Sequence, residues 1–256
     1  MDALDAELLA FAHELADLAA PIAREHFGAA HDVDTKEDRS PVTIADRGIE
    51  AALRERIEAR YPDHGIYGEE HGTARLDAEH VWVLDPIDGT KAFLAGNPLF
   101  GTLVGLMRRG VPTLGVVDGP ATGARYHGVV GGGSYRGATR LQTRRVEQLG
   151  DAVLHCTAPD LLLEHEGHRA LRRRARWACY GGDCFAYAWL AAGGTDLVVD
   201  TTLKPFDWCA LVPIVEEAGG ELRQWDGAPL TLDSPGDVVA AATPQLGRAA
   251  RAVLAP

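Results

Sequence analysis

VWVLDPIDGTKAFLAGNPLF, residues 81–100, is the stretch on which the interpretation of this chain depends. Its first four residues are apolar and mostly β-branched, and the run is too short for a helix, so it predicts a buried strand that ends at Asp85. A proline and a glycine then favour a tight turn, which carries a second carboxylate, Asp88. Gly89 and Thr90 follow with backbone amides that no bulky side chain shields.

This loop has two interpretations. Aspartates are common where strands end because they hydrogen-bond to their own backbone, so both acids could be turn residues. Alternatively, Asp85, Asp88 and the Ile87 carbonyl could supply oxygen ligands to a hard cation, while the amides of Gly89 and Thr90 receive phosphate. The loop alone does not decide between them.

Composition restricts the class of protein. The chain has 256 residues, 46% of them hydrophobic, which is enough to bury the core of one large domain or two small ones. Its net charge of -12 argues against a nucleic-acid or membrane-surface binder. No run approaches the roughly 20 apolar residues of a membrane span, so we expect a cytoplasmic protein. The four cysteines lack metal-site spacing and predict buried, reduced thiols.

The first 70 residues predict two amphipathic helices and a short strand. Thr43 is a candidate N-cap of the second helix, and Asp46, three residues later, fits the acidic form of a capping box. Asp46 also shares the spacing of the apolar face, so it could point inward and need a polar partner. Glu69 and Glu70 follow the predicted strand. The apolar stripe of the first helix comprises Leu4, Leu8, Phe11, Leu15, Leu18 and Ile22, and that of the second comprises Ile49, Leu53 and Ile57.

The remainder of the chain changes character near residues 140–148. Before them, segments 102–107, 113–117 and 125–130 are separated by glycine-rich turns, which predicts an antiparallel meander. After them, strand and helix patterns alternate, which predicts an α/β half. We therefore expect an N-terminal α+β half, residues 1–143, and a C-terminal α/β half, residues 144–256.

Two segments of the second half could contribute to a site. Gly181, Gly182 and Asp183 stand where a helix is predicted to begin, which suits either backbone contact with a ligand or a plain strand-to-helix turn. Asp200 ends a predicted strand and Asp207 begins the next helix, where an acid also stabilises the helix dipole.

The combination of motifs resembles the Mg²⁺-dependent inositol monophosphatase family of phosphomonoesterases. The motifs are Glu69-Glu70, the loop from Asp85 to Thr90, Asp207-Trp208 and Glu217-Ala218-Gly219-Gly220, in that order. The resemblance implies a layered αβαβα fold, with the active site between the two halves, in a homodimer. The local patterns around Gly181 and Lys204 are most similar to the histidinol-phosphate phosphatase branch.

The resemblance also implies a role for each matched residue. Glu69, Asp85 and the Ile87 carbonyl would bind one metal ion, and Asp85, Asp88 and Asp207 a second. Glu70 would lie near the metals, and Lys36 would brace the acids. The substrate would contact Ile87, Asp88, Gly89, Thr90, Gly181, Gly182, Asp183, Asp200 and Asp207.

Hydrolysis of a phosphate monoester requires neutralisation of its negative charge and a deprotonated nucleophile, and bound metal ions supply both. We hypothesise that a water activated by the metals loses its proton through Thr90 toward Asp46. Histidinol phosphate carries an ammonium and an imidazole, which Asp183 and Asp200 would complement. The alternatives are an inositol-1-phosphate, sugar-phosphate or nucleotide phosphatase, or a metal-binding protein without turnover.

Overall fold

Helices and β-sheets alternate in the computed structural model, which describes residues 2–28, 34–35 and 41–255. Lys36 lies outside these residues. In the described part of the chain, the helices are α1 (Ala3–His26), α2 (Ile44–Arg60), α3 (Thr90–Leu94), α4 (Glu166–Arg174), α5 (Cys184–Ala191), α6 (Pro205–Trp208), α7 (Leu211–Glu216) and α8 (Pro244–Leu254). The strands are β1 (Asp34–Thr35), β2 (Pro41–Val42), β3 (Gly65–Gly68), β4 (Thr73–Ala74), β5 (His80–Asp88), β6 (Gly101–Arg108), β7 (Val111–Gly119), β8 (Ala124–Val129), β9 (Gly133–Arg136), β10 (Thr139–Arg140), β11 (Val153–Cys156), β12 (Trp177–Tyr180), β13 (Leu197–Asp200), β14 (Glu221–Gln224) and β15 (Val238–Ala241).

The first large sheet has the strand order β10-β9-β8-β7-β6-β5-β3-β4. Strands β6, β7 and β8 pair in antiparallel fashion, which confirms the predicted meander. Strand β3 instead runs parallel to β5, with Gly68 opposite Leu84. Because parallel neighbours end at the same edge of a sheet, the residues that follow β3 emerge beside Asp85.

Helices α1 and α2 cover one face of this sheet. Ile49, Leu53 and Ile57 are buried there, as the spacing predicts. The predicted stripe of α1 is only partly right, since Leu4 and Leu18 are 44% and 36% exposed. Alanines at neighbouring positions rotate the buried face, because small side chains let α1 approach its neighbours closely. The buried face of α1 comprises Leu8, Phe11, Ala12, Leu15, Ala16, Ala19, Ala20 and Ala23.

A row of three cross-strand glycines shapes the other face of the sheet. Gly105 pairs with Gly115, and Gly115 pairs with Gly128. A Cβ at Gly105 would lie 2.8 Å from the Cys209 sulfur, and one at Gly128 would lie 2.5 Å from the Pro213 carbonyl oxygen. The row therefore lets the backbone around α7 rest directly on the sheet.

The second large sheet has the order β12-β11-β13-β15-β14 and is mixed. The alternation of strands and helices after residue 150 is confirmed. The helix predicted to begin at Asp207 is interrupted, because α6 and α7 are separate helices. Pro213 has no N–H to donate to the carbonyl of Cys209, which accounts for the interruption.

Three buried clusters define the layers. One lies between the first sheet and α1 and α2, one between the two sheets around α5 and α7, and one between the second sheet and α4 and α8. This arrangement confirms the predicted αβαβα fold. The division into residues 1–143 and 144–256 stays a prediction. Among the described residues, no helix combines the length and apolar character needed to cross a membrane.

Candidate active site

The end of β5 and the turn after β3 bring two acids together. The register of Gly68 with Leu84 sets Glu69 beside Asp85. The two side chains share a hydrogen bond between carboxyl groups, and the negative charge of Glu69 helps to raise the pKa of Asp85. The pairing of β3 with β5 therefore brings together Glu69 and Asp85, the pair that the sequence predicted.

Helix α6 brings the third element of the site. The backbone N–H of Lys204 donates to Oδ2 of Asp207 at 2.5 Å, which fixes this carboxylate in the first turn. One carboxylate oxygen from each of Asp85, Asp88 and Asp207 lies within 4.8 Å of the others. Asp207 thus converges on Asp85 and Asp88, which precede it in sequence by more than a hundred residues.

Burial and mutual repulsion dominate the electrostatics of these acids. Burial, followed by the charges of Glu69, Asp88 and Asp207, raises the pKa of Asp85 well above its ordinary value. Burial and the charge of Asp207 raise the pKa of Asp88 to about 7. Burial also raises the pKa of Asp207 to about 7, against the lowering effect of its hydrogen bond from Lys204. A bound cation would relieve all three.

The donor set fits a hard divalent cation. Oδ1 of Asp85 is buried and has no hydrogen-bond partner within the described residues, although an orphaned carboxylate oxygen is costly. The carboxylates of Asp85, Asp88 and Asp207 offer only oxygen ligands, which Mg²⁺ prefers. The carbonyl oxygen of Ile87 accepts a bond from the Thr90 hydroxyl at 3.2 Å and keeps a second lone pair.

The start of α5 closes the site from the C-terminal half. The backbone N–H of Cys184 donates to Oδ2 of Asp88 at 2.6 Å. Asp183 adopts a φ of 42°, and its carboxylate lies against Gly89, where a Cβ would be 2.9 Å from Asp183 Oδ2. Burial, then the charges of Asp88 and Asp200, raises the pKa of Asp183 to about 8. Gly89, with a φ of 84°, is needed both for its conformation and for this approach.

A cavity of about 240 Å³ opens beside these acids. Asp88, Asp183 and Asp207 line it together with Thr157 and Tyr187. Gly181 and Gly182 precede this wall, and both have positive φ.

Asp200 lies behind the cavity wall and is only 2% exposed. Its carboxylate accepts the Thr157 backbone N–H and the Tyr187 hydroxyl, each at 2.8 Å. Because Thr157 and Tyr187 both line the cavity, Asp200 is connected to the cavity through them.

Asp46 combines the two interpretations that its sequence position allowed. Its Oδ2 accepts the backbone N–H of Thr43 at 2.8 Å and the Thr43 hydroxyl at 2.5 Å, so the capping box is present. Asp46 is also buried. The Thr90 hydroxyl donates to the carbonyl of Ile87. The proton relay from Thr90 to Asp46 therefore stays a prediction.

Two features of the site escaped sequence reasoning. One is Glu50, which is fully buried and accepts the backbone N–H of Glu70. Its signal was its spacing, four residues after Asp46 and three before Leu53, on the inward face of α2. The other is the glycine row beneath α7, whose signal was the presence of glycine inside predicted strands.

The fold is shared with solved phosphatase structures. An inositol monophosphatase from Zymomonas mobilis superposes with a TM-score of 0.90 at 41% sequence identity, with 99% of each chain covered. The sequence model of the inositol monophosphatase family matches residues 4–255, so this chain belongs to that family of phosphatases, as the motifs predicted.

Two curated relatives represent the sequence comparison. The chloroplastic bifunctional phosphatase IMPL2 of Arabidopsis thaliana is 41% identical over 243 residues, which is 92% of this chain and 70% of that protein. The histidinol-phosphatase of Chlorobaculum parvum is 34% identical over 236 residues, 91% of each chain.

Proposed function

We propose that this protein is a Mg²⁺-dependent phosphomonoesterase whose substrate is L-histidinol phosphate, which it converts to L-histidinol and phosphate in histidine biosynthesis. The acid cluster of Asp85, Asp88 and Asp207 supports the phosphatase chemistry. The histidinol-phosphatase among its relatives supports the substrate. A cytoplasmic homodimer belongs to the same proposal.

Two Mg²⁺ ions would be held, each by one set of oxygen ligands. Glu69, Asp85 and the Ile87 carbonyl form one set, and Asp85, Asp88 and Asp207 form the other. When bound, Mg²⁺ would neutralise the ester and make a water acidic enough to act as the nucleophile. Asp85 belongs to both sets, and its unpartnered Oδ1 is the atom that most needs a cation.

The chain's own residues would orient the ester and move the proton. The backbone amides of the Gly89 and Thr90 turn would suit the phosphate oxygens. The Thr90 hydroxyl would rotate from the Ile87 carbonyl, accept the proton of the attacking water and pass its own toward Asp46. Oδ2 of Asp46 accepts both the N–H and the hydroxyl of Thr43. Glu70 would contribute near the water without a fixed ligand role.

The observation that carries the choice of substrate is the position of Asp183. Its carboxylate lines the cavity next to Asp88, in surroundings that raise its pKa to about 8. An ammonium group bound there would favour the ionised carboxylate and form a charge-assisted hydrogen bond. Histidinol phosphate has such a group, whereas inositol phosphate offers only hydroxyls. Asp200 would support the same wall through Thr157 and Tyr187.

The second candidate is inositol 1-phosphate. The similarity to the inositol monophosphatase of Zymomonas mobilis favours it, and a carboxylate can also accept hydrogen bonds from hydroxyls.

The test compares phosphate release from L-histidinol phosphate and inositol 1-phosphate by the same protein at saturating Mg²⁺. We expect kcat/KM to favour histidinol phosphate, and we expect Asp183→Asn to lower that value far more than the value for the inositol ester. If the wild type prefers inositol 1-phosphate, histidinol phosphate is rejected as the substrate in favour of inositol 1-phosphate. Absence of release from any monoester would leave a metal-binding protein without turnover.

A further inference from the structure

Helix α2 carries a buried acid directly beneath the turn that contains Glu69. We infer that the carboxylate of Glu50 is a positioning residue that holds this turn, residues 69–71, in place and thereby sets the affinity of the acid cluster for divalent cations. The inference rests on the proposed function only in assuming that Glu69 is a metal ligand.

Glu50 binds two consecutive backbone amides. Its Oε2 accepts the N–H of Glu70 at 2.6 Å, and its Oε1 accepts the N–H of His71 at 3.0 Å. The side chain is fully buried. Hydrogen bonds to an ionised acceptor are about twice as strong as those between neutral groups, so this contact fixes the backbone of the turn relative to α2.

Arg54 completes the arrangement from the next turn of the same helix. Its Nε lies 2.7 Å from Oε1 of Glu50, and its guanidinium also donates to the carbonyl of Gly72. The His71 ring contacts the carbonyl of Arg47 at 3.1 Å. Helix α2 therefore holds residues 70–72 at three points.

The space around Glu50 is restricted as well. A Cβ on Gly68 would collide with the carboxylate of Glu50 and approach the Arg54 guanidinium. Glycine at this position lets β3 pass directly over the carboxylate.

Glu69 lies between two fixed points as a result. On one side, Gly68 is held in the sheet by its register with Leu84. On the other side, Glu70 is held by Glu50. The backbone of Glu69 is thus defined on both sides, and its carboxyl group meets Asp85. Groups that orient metal ligands in this way commonly change metal affinity by about 10- to 100-fold when they are removed.

The decisive variant is Glu50→Gln, which keeps the size of the side chain. One carboxylate oxygen becomes an NH₂ group, which cannot accept a hydrogen bond and would face a backbone N–H. The measurement is the binding of Mn²⁺ alone, followed by electron paramagnetic resonance, together with urea unfolding of the metal-free protein. We expect Mn²⁺ affinity to fall by about 10- to 100-fold.

A matched control separates positioning from general stability. Asp196 is also fully buried, accepts the Val153 N–H at 2.8 Å and lies 3.1 Å from Nε of Arg144. It stands at the opposite end of β13 from Asp200. We expect Asp196→Asn to lower stability in urea without changing Mn²⁺ affinity, whereas Glu50→Gln changes both.

Arg54→Met provides a second variant in case Glu50→Gln does not fold, because Arg54 is partly exposed. We expect a smaller loss of Mn²⁺ affinity in Arg54→Met. Wild-type affinity in the folded Glu50 variant, or in the Arg54 variant if that one alone folds, would overturn the inference. Absence of Mn²⁺ binding by the wild type would overturn it too. Mn²⁺ binding by a wild type that hydrolyses no ester would contradict only the proposed function.

Discussion

Gly115 and Ala210 are in backbone contact, so close that a Cβ on Gly115 would collide with the carbonyl group of Ala210. This contact joins the centre of the first sheet to the segment between α6 and α7. Asp207 lies three residues before Ala210, so the same contact helps to position Asp207 relative to the sheet that carries Asp85. The geometry of the acid cluster therefore depends on the absence of a side chain.

Replacing Gly115 with alanine should push the segment away from the sheet. We expect Gly115→Ala to lower the free energy of unfolding by about 1–3 kcal/mol, the usual cost of overpacking, and to weaken Mn²⁺ binding because Asp207 moves. Gly48→Ala is the control, since Gly48 is in α2 with open space around it. That change should raise stability by about 0.5–1 kcal/mol. Equal stability of the two variants would refute the packing argument.

Asp85 should be essential for metal-dependent activity and unfavourable for the stability of the metal-free protein. It is buried among Glu69, Asp88 and Asp207, and burial raises its pKa. We expect Asp85→Asn to abolish Mg²⁺-dependent hydrolysis and to raise the melting temperature measured in EDTA. A phosphate-release assay with Mg²⁺ checks the first expectation, and calorimetry in EDTA checks the second. A variant that retains its activity would rule out Asp85 as the shared ligand.

The acid cluster should make stability depend on pH in an unusual direction. In the metal-free folded protein, Asp88 and Asp207 have pKa values of about 7 and Asp183 of about 8, whereas their ordinary value is 3.8. The folded state therefore binds more protons than the unfolded chain between about pH 4 and pH 8. Since stability falls where the folded state binds more protons, these groups lower the unfolding free energy as pH rises through this window.

Mg²⁺ should reverse this trend, because it binds only the deprotonated carboxylates. The increase in melting temperature produced by Mg²⁺ should be small near the acid end of the window and largest at its alkaline end. Comparing melting with and without Mg²⁺ at each pH holds all other titrating groups constant. A Mg²⁺-induced shift that does not grow with pH would contradict the assignment of Asp88 and Asp207 as ligands.

The hydroxyl of Thr90 should matter for turnover rather than for metal binding. We expect Thr90→Ala to lower kcat by about 10²- to 10⁴-fold, the range typical of proton-transfer groups, with little change in Mn²⁺ affinity. Thr90→Ser keeps the hydroxyl and should retain most activity. Asp46→Asn should lower kcat as Thr90→Ala does, because asparagine cannot take up the proton. The helix cap should remain, because the asparagine side chain can still accept the Thr43 N–H. Undiminished kcat in Asp46→Asn would leave helix capping as the role of Asp46.

Much of the fold was accessible from the sequence because strand and helix periods are local properties. The meander from β6 to β8 and the alternation after residue 150 follow from them. Glu69, which follows β3, and Asp85, which lies near the end of β5, were also predictable, because each comes after a short apolar run. The buried face of α1 was less predictable, because its alanines, rather than Leu4 and Leu18, contribute to that face.

The convergence of Asp207 on Asp85 was not accessible from local pattern and came only from the family resemblance. It depends on tertiary packing over Gly105, Gly115 and Gly128, which no periodicity indicates. The role of Glu50 was not predicted from the sequence for a different reason. An amphipathic pattern counts apolar residues, whereas a buried acid is recognised only when the amides it binds are known.

During synthesis, Asp88 leaves the ribosome well before its hydrogen-bond partner Cys184, which follows 96 residues later. Chains emerge N-terminus first, and contacts over such a separation form only after a large loop has closed. Until α5 has been made, Asp88 at the end of β5 lacks this hydrogen-bond donor. The cluster of Asp85, Asp88 and Asp207 is complete only once α6 has been made and docked, so maturation of the site is a late event in the life of the chain.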